Sequence, residues 1–238
     1  RGRNRLRRAL VVVEVALALV LAIGAGLLMK SFGRLLEVDP GFNPRNVLAA
    51  GINLPAARYG NPRHRMAFFA RFLDEISTAP GVQAAGLVNN LPFSGTSQGC
   101  TMRVEGRPLV RPEDAVPVWY RIATPGYFSA MEIPLRRGRL LSERDAPDAP
   151  LAAVVNEALV RRFFPNEDPI GKRIAWDANP APPPPGRPVP PWITIVGVVG
   201  SVRHLSLAGE PEPEIYLAYT QQPVTAMEVA VRAAGGPE

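Results

Sequence analysis

The chain has 238 residues, with 27 Lys and Arg against 21 Asp and Glu for a net charge of +6, and 47% of its residues are hydrophobic. Setting aside the five arginines among its first eight residues, Lys30 and Glu14 leaves 21 basic and 20 acidic residues, so no basic face for nucleic acid is expected. The single cysteine, Cys100, excludes an intrachain disulfide, and His64 and His204, lying in separate segments, fall short of the three or four ligands of a zinc site.

Arg1, Arg3, Arg5, Arg7 and Arg8 precede an apolar run from Ala9 to Met29 that only Glu14 interrupts. A helix over this run reaches about 31 Å, the thickness of a bilayer core. Arginine clusters stay on the inner side of a first span. The expected plan is therefore a cytoplasmic basic segment at 1–8, a transmembrane helix at 9–29 and an exported remainder. A cleaved signal fits less well, because its apolar region covers about 7–15 residues and this run continues through Leu27, Leu28 and Met29. Ala18, Ala22 and Gly26 stand four apart, a small-residue stripe that lets helix backbones approach in lipid. Glu14 lies one step earlier on the same side, where an intramembrane acid needs a partner or an interface. These four are the expected helix-packing positions.

Beyond the span, Asp39-Pro40-Gly41-Phe42 reads as a turn, with proline preset at its second position and glycine supplying positive φ. Asn46–Leu54 is a strand, and Asn61-Pro62 caps a helix whose apolar face is Met66, Phe69, Leu73 and Ile76. Ala79-Pro80-Gly81 stops that helix before a second strand at Val82–Val88. Thr101–Glu105 and Val116–Ala123 are shorter strands, followed by a turn or short helix at Pro125–Phe128. A strand at Ala152–Val155 runs into a helix over Glu157–Phe164. Asn179–Pro191 is a proline-rich excursion that cannot join a regular ladder. Strands at Ile193–Val199, Ile215–Leu217 and Met227–Val231 complete an α+β pattern of mixed sheets with helices on one face, in two lobes.

No motif assembles chemistry. Gly171-Lys172 is followed by Arg173 where a phosphate loop needs Ser or Thr, and Asn166 stands at the earlier glycine position. Ser94 and Ser97 lack the Gly-x-Ser-x-Gly elbow. Gly197-Val198-Val199-Gly200 lacks the third glycine of a dinucleotide fingerprint and reads as a bend at a strand end. Glu143, Asp145 and Asp148 read as solvated loop acids. No catalytic residue, metal site or cofactor is expected.

Several segments in order resemble the periplasmic core domain of MacB-like and FtsX-like ABC transporter permeases, joined to its preceding span. They are Gly24–Leu28, Val38–Phe42, Leu91–Gly95, Thr124–Phe128, Leu135–Arg139, Asn156–Leu159, Asp168–Lys172 and Ile195–Gly200. Phe164–Gly171 is the most specific. The resemblance implies a two-lobed periplasmic domain between the first and second of four spans. Its porter-like βαβ lobe would take 30–110 and return at 192–238, and its second, mostly β lobe would take 111–191. It also implies a non-enzymatic subunit in the bacterial inner membrane, driven by an ABC ATPase. That subunit would form a homodimer or pair with a second permease half, and would meet a periplasmic adaptor. One span here instead of four, no initial Met and the ending Gly-Gly-Pro-Glu lead us to expect a fragment, such as one half of a tandem permease. The alternative reading is a single-span anchored sensor or partner-binding domain.

Overall fold

The computed structural model describes residues 2–95, 98–107, 117–177 and 191–235. Helix α1 (Gly2–Leu36) contains a stretch, Leu10–Leu35, long and apolar enough to cross a membrane. As a helix, α1 continues on both sides of residues 9–29. Lys30, Ser31, Phe32 and Arg34 all sustain a helix, and the first proline is Pro40. Residues 1–39 form one compact unit and 40–238 a second.

The second unit begins with β1 (Val47–Asn53), α2 (Ala56–Tyr59), α3 (Pro62–Ser77) and β2 (Val82–Val88). Asn61 caps α3 as its sequence predicts, its Oδ1 accepting the Arg63 N–H at 2.9 Å. Phe69 is buried, with Met66, Leu73 and Ile76 packed half-buried around the same core. Then follow β3 (Gly99–Val104), β4 (Pro117–Ala123), α4 (Gly126–Ala130), β5 (Leu135–Gly138) and β6 (Ala152–Asn156). The last elements are α5 (Glu157–Phe163), β7 (Arg173–Asp177), β8 (Ile193–Val199), β9 (Glu214–Ala218) and β10 (Ala226–Ala233). The expected 179–191 excursion, Ser97 and the expected 110/111 lobe boundary lie outside the described residues, save Pro191 at the excursion's end.

The strands close a ring. β4 pairs parallel with β9, β9 antiparallel with β6, and β6 parallel with β8. β8 then pairs antiparallel with β7, β7 with β3, and β3 with β4. Only the first residues of β4 and β8 meet β3 and β7; their last residues are free to pair elsewhere. The end of β8 takes β5, and the end of β4 meets β2 through Val88 and Ala123. Through β2 a three-stranded antiparallel ribbon, β1-β10-β2, joins the ring.

Helices cover both faces of this ribbon, not the single face expected. Leu87 belongs to the core cluster under α3, whereas its neighbour Val88 packs with Tyr127 and Phe128 of α4, as period-two alternation requires. At the α4 crossing the backbones touch. A Cβ on Gly86 would stand 2.1 Å from Tyr127 N, and one on Gly126 2.1 Å from Ala85 O, so neither position tolerates a side chain. Gly197 is not a strand-end bend either. It lies within β8 beside a register shift against β6, where a Cβ would meet Arg139 O at 2.0 Å.

Candidate functional site: the strap between helix and domain

The chain leaving α1 reaches β1 through a short strap, Pro40–Asn46, and three parts of the domain hold it. The loop after β8 is the first. Gly41 has the positive φ, +82°, expected of its turn, and packing demands glycine as well, since a Cβ would lie 2.0 Å from Ser201 O. Arg203 N–H donates to Pro40 O at 2.9 Å on the same side. The end of α4 is the second: Asn43 N–H donates to Met131 O at 3.0 Å, and Asn43 Nδ2 to Glu132 Oε2 at 2.9 Å.

Strand β10 is the third and supplies a clamp. Arg232, 6% exposed, donates from Nη2 to Asn43 O at 2.7 Å, from Nη1 to Arg45 O at 2.8 Å and from Nε to Ala130 O at 2.9 Å. Glu132 Oε1 lies 3.3 Å from the same guanidinium and balances its charge. One planar fork thus ties strap, α4 and β10 together, geometry that lysine could not reproduce. Ala233 N–H adds a bond to Asn46 O at 2.9 Å, and Phe42 packs 6.3 Å from Phe93, centroid to centroid.

The loop that touches Pro40 and Gly41 also reaches a buried charge cluster. His204 Nε2 stands 3.0 Å from Glu214 Oε1, which accepts from Arg121 Nε at 3.1 Å. Tyr216 OH donates to Glu214 Oε2 at 2.8 Å. Asn156 Oδ1 accepts from Glu214 N at 3.0 Å and from Leu159 N at 2.9 Å, so one side chain both caps α5 and fixes β9. Arg121 is fully buried and Glu214 is 1% exposed. Burial, and then the Glu214 charge, raise the Tyr216 phenol well above its ordinary range, so it remains a donor. The cluster is a buried structural network at the base of the strap loop, in which Glu214 gathers Arg121, Tyr216 and the Asn156 side chain while the two His204 ring nitrogens make no hydrogen bond among the described residues.

Sequence reasoning missed Arg232, Arg121 and Glu214 and set His204 aside. The available signal was a cation within each of the strands Val118–Ile122 and Val229–Ala233, where apolar neighbours leave a charge no water and so require a partner. Asp145 also departs from expectation. It is 2% exposed, not solvated, and Arg139 Nη1 and Nη2 donate to its two oxygens at 2.8 and 2.7 Å. Burial would raise its carboxyl, but the Arg139 bonds, the Ser142 N–H and the Arg139 charge outweigh burial and hold it below the usual carboxylate range.

Glu14, Ala18, Ala22 and Gly26 fall at four-residue steps on α1, and all four are exposed. Among the described residues no group of three or more His, Cys, Asp or Glu could hold a metal ion. The most specific motif has a physical basis in turn chemistry. Phe164 is buried beneath the Arg107 guanidinium, Asp168 Oδ1 accepts from Ile170 N at 3.0 Å, and Gly171 has φ +82°.

A family model described as the MacB-like periplasmic core domain matches residues 11–237. Among solved structures, the periplasmic region of MacB from Actinobacillus actinomycetemcomitans superimposes with a TM-score of 0.51 at 16% identity, covering 86% of this chain and 82% of that one. The extracellular domain of the noncanonic ABC-type transporter YknZ from Gram-positive bacteria gives 0.47 at 13% identity, over 80% and 84%. No curated protein sequence matches. At these identities the MacB structure speaks to the fold of the β-rich mixed domain alone, while the family match spans nearly the whole chain. The chain therefore belongs to the MacB-like periplasmic core domain family of ABC-type transporter permeases.

Proposed function

We propose that this chain is part of a permease subunit in an ABC-type export or mechanotransmission system, in which ATP hydrolysis by a cytoplasmic partner ATPase moves the domain outside the membrane. The observation that carries this reading is the strap. A connection meant only to tether could be slack, yet this one is fixed by Arg232, Gly41 and Asn43 within seven residues of the helix unit's end. A displacement of α1 would then be passed to β10 and α4 instead of being absorbed.

In this reading α1 crosses the membrane with its arginines inside. It packs through Glu14, Ala18, Ala22 and Gly26 against a second copy or a second permease half, and a periplasmic adaptor joins outside. The ribbon with α3 corresponds to the porter-like lobe, and 111–191 supplies much of the second. The test uses the intact permease with its ATPase in nanodiscs, spin-labelled on α3 at Arg71. Interdomain distances should change on ATP binding, and Arg232→Ala should shrink that change while leaving ATP hydrolysis in place. A wild-type distance that does not respond to nucleotide would sink the reading. Cysteines at Ala22 should crosslink in membranes if the stripe is a packing face; no crosslink would remove that assignment.

A further inference from the structure

Strand β1 is the outermost of the ribbon. Its pairing with β10 runs unbroken from Val47 to Asn53, and among the described residues no strand lies on its other flank. The ladder also fixes which groups that flank presents. Ala233 N–H donates to Asn46 O and Leu54 N–H to Thr225 O, each at 2.9 Å, and both pairs continue the β1–β10 register. Bonded and non-bonded pairs alternate along an antiparallel ladder, so the even-numbered residues of β1 direct their N–H and C=O groups at β10. Those of Val47, Ala49, Gly51 and Asn53 point away from it, and Leu48, Ala49, Ala50 and Gly51 are all exposed. Edges are normally blunted by a charge, a proline or a bulge; β1 carries none of the three.

On the α4 face of the ribbon this edge adjoins an open groove of about 240 Å3, whose lining includes Ala49, Gly51, Leu91, Phe93 and Glu228. Gly51 pairs directly across from Glu228, and a Cβ on Gly51 would meet nothing within 4 Å, so no side chain of β1 screens the carboxylate from the free flank. Glu228 is half-buried; one oxygen accepts the Leu91 N–H, and no Lys or Arg forms a salt bridge with it among the described residues. On the α3 face Leu48, 53% exposed, lies in line with Ala50 and Ile52.

We propose that β1 receives, as an added strand, an extended polypeptide segment that places a basic side chain opposite Gly51 and an apolar residue on either side of it. Backbone bonds to Ala49, Gly51 and Asn53 hold such a segment whatever its sequence, and the side chains select it. The basic residue stands two strand spacings, about 10 Å, from Glu228, a gap that its own reach and the glutamate's close over Gly51. Its apolar neighbours turn to the other face, against Leu48 and Ile52. A second copy of this chain suits the edge less well, since β1 itself would bring no cation to Glu228. The site does not depend on the coupling role.

The test is amide hydrogen exchange, read by NMR on the full chain in nanodiscs, with the end-blocked peptide Thr-Val-Arg-Val-Thr as probe. Without peptide, the amides of Leu48, Ala50 and Ile52 should exchange slowly and those of Ala49 and Gly51 fast. The peptide should slow Ala49 and Gly51 saturably. Glu228→Gln should raise its half-saturation concentration about two- to fivefold, the range of an exposed ion pair, and should erase its advantage over the same peptide with glutamine for arginine. Ala49→Pro removes an outward donor and leaves the β10 ladder intact. It should keep the protection of Leu48 and Ala50 and raise half-saturation about two- to tenfold, the range of one hydrogen bond. A peptide that protects neither amide, or a glutamine peptide that binds the unaltered chain as tightly as the arginine one, would overturn the proposal. Protection of Ala49 and Gly51 that needs no peptide and grows with chain concentration would overturn it too, and assign the edge to a second copy.

Discussion

Replacing Glu214 by Gln keeps the shape of the side chain but removes one charge and one acceptor oxygen from the core. Arg121 Nε can keep the one amide oxygen while Tyr216 OH turns to accept from the amide nitrogen, but the guanidinium, fully buried, loses the carboxylate that balances it. Breaking a buried pair by deleting one partner costs about 3–5 kcal/mol, because the desolvated survivor is uncompensated. For a domain of this size each kcal/mol moves the melting temperature by about 2–4 °C, so Glu214→Gln should lower it by roughly 6–20 °C. Urea unfolding of the purified chain, followed by tryptophan fluorescence, would give the free energy directly, with an unchanged slope showing that both end states are the same. The double variant Arg121→Met, Glu214→Leu should recover most of the loss, since a packed apolar pair needs no solvation. A single-variant cost below about 1 kcal/mol, or a double variant as unstable as the sum of the singles, would refute the view of this pair as a dry, mutually dependent unit.

Three further outcomes follow from the same coordinates. Asp145 titrates below its ordinary range in the folded chain, so its contribution is complete above about pH 4 and is lost as pH falls through the depressed value; acid unfolding curves should show this loss, and Asp145→Asn should flatten it. Burial pushes the Cys100 thiol up to about 12, so a maleimide at pH 8 should label the chain only after unfolding, and prompt labelling of the native chain would contradict the packing of β3. Gly86→Ala drives a methyl into the α4 backbone and should cost about 1–3 kcal/mol or more, whereas Gly51→Ala on β1, where a Cβ meets nothing within 4 Å, should be near neutral by the same denaturation assay.

Strands whose own composition decides them were legible. Val82–Val88 and Ile193–Val199 are apolar, rich in small or β-branched residues and bounded by breakers, and they form β2 and β8 at those limits. β5 was not, because Leu135-Arg136-Arg137-Gly138 is exposed along its length and owes its existence to the flank of β8 left open by β7. β7 was hidden in the same way: Ile174 and Ala175 are buried, but two such residues make no period. The strap turn at Pro40-Gly41 could be read from its residues. The clamp could not, because Arg232 meets Asn43 and Arg45 across the whole domain, and pairings of that span leave no local trace.

That span also sets an order of assembly. Arg232 lies 187 and 189 positions from the carbonyls it holds, and among the described residues β1 finds its one strand partner in β10. As the polypeptide emerges, Val47–Asn53 must wait unpaired, an uncharged and proline-free edge, until Ala226–Ala233 arrives. Contacts so distant are closed late and slowly. The fastening of the strap to β10 is thus among the last contacts to set, and a chain stalled short of Arg232 would carry a folded ring with its strap loose.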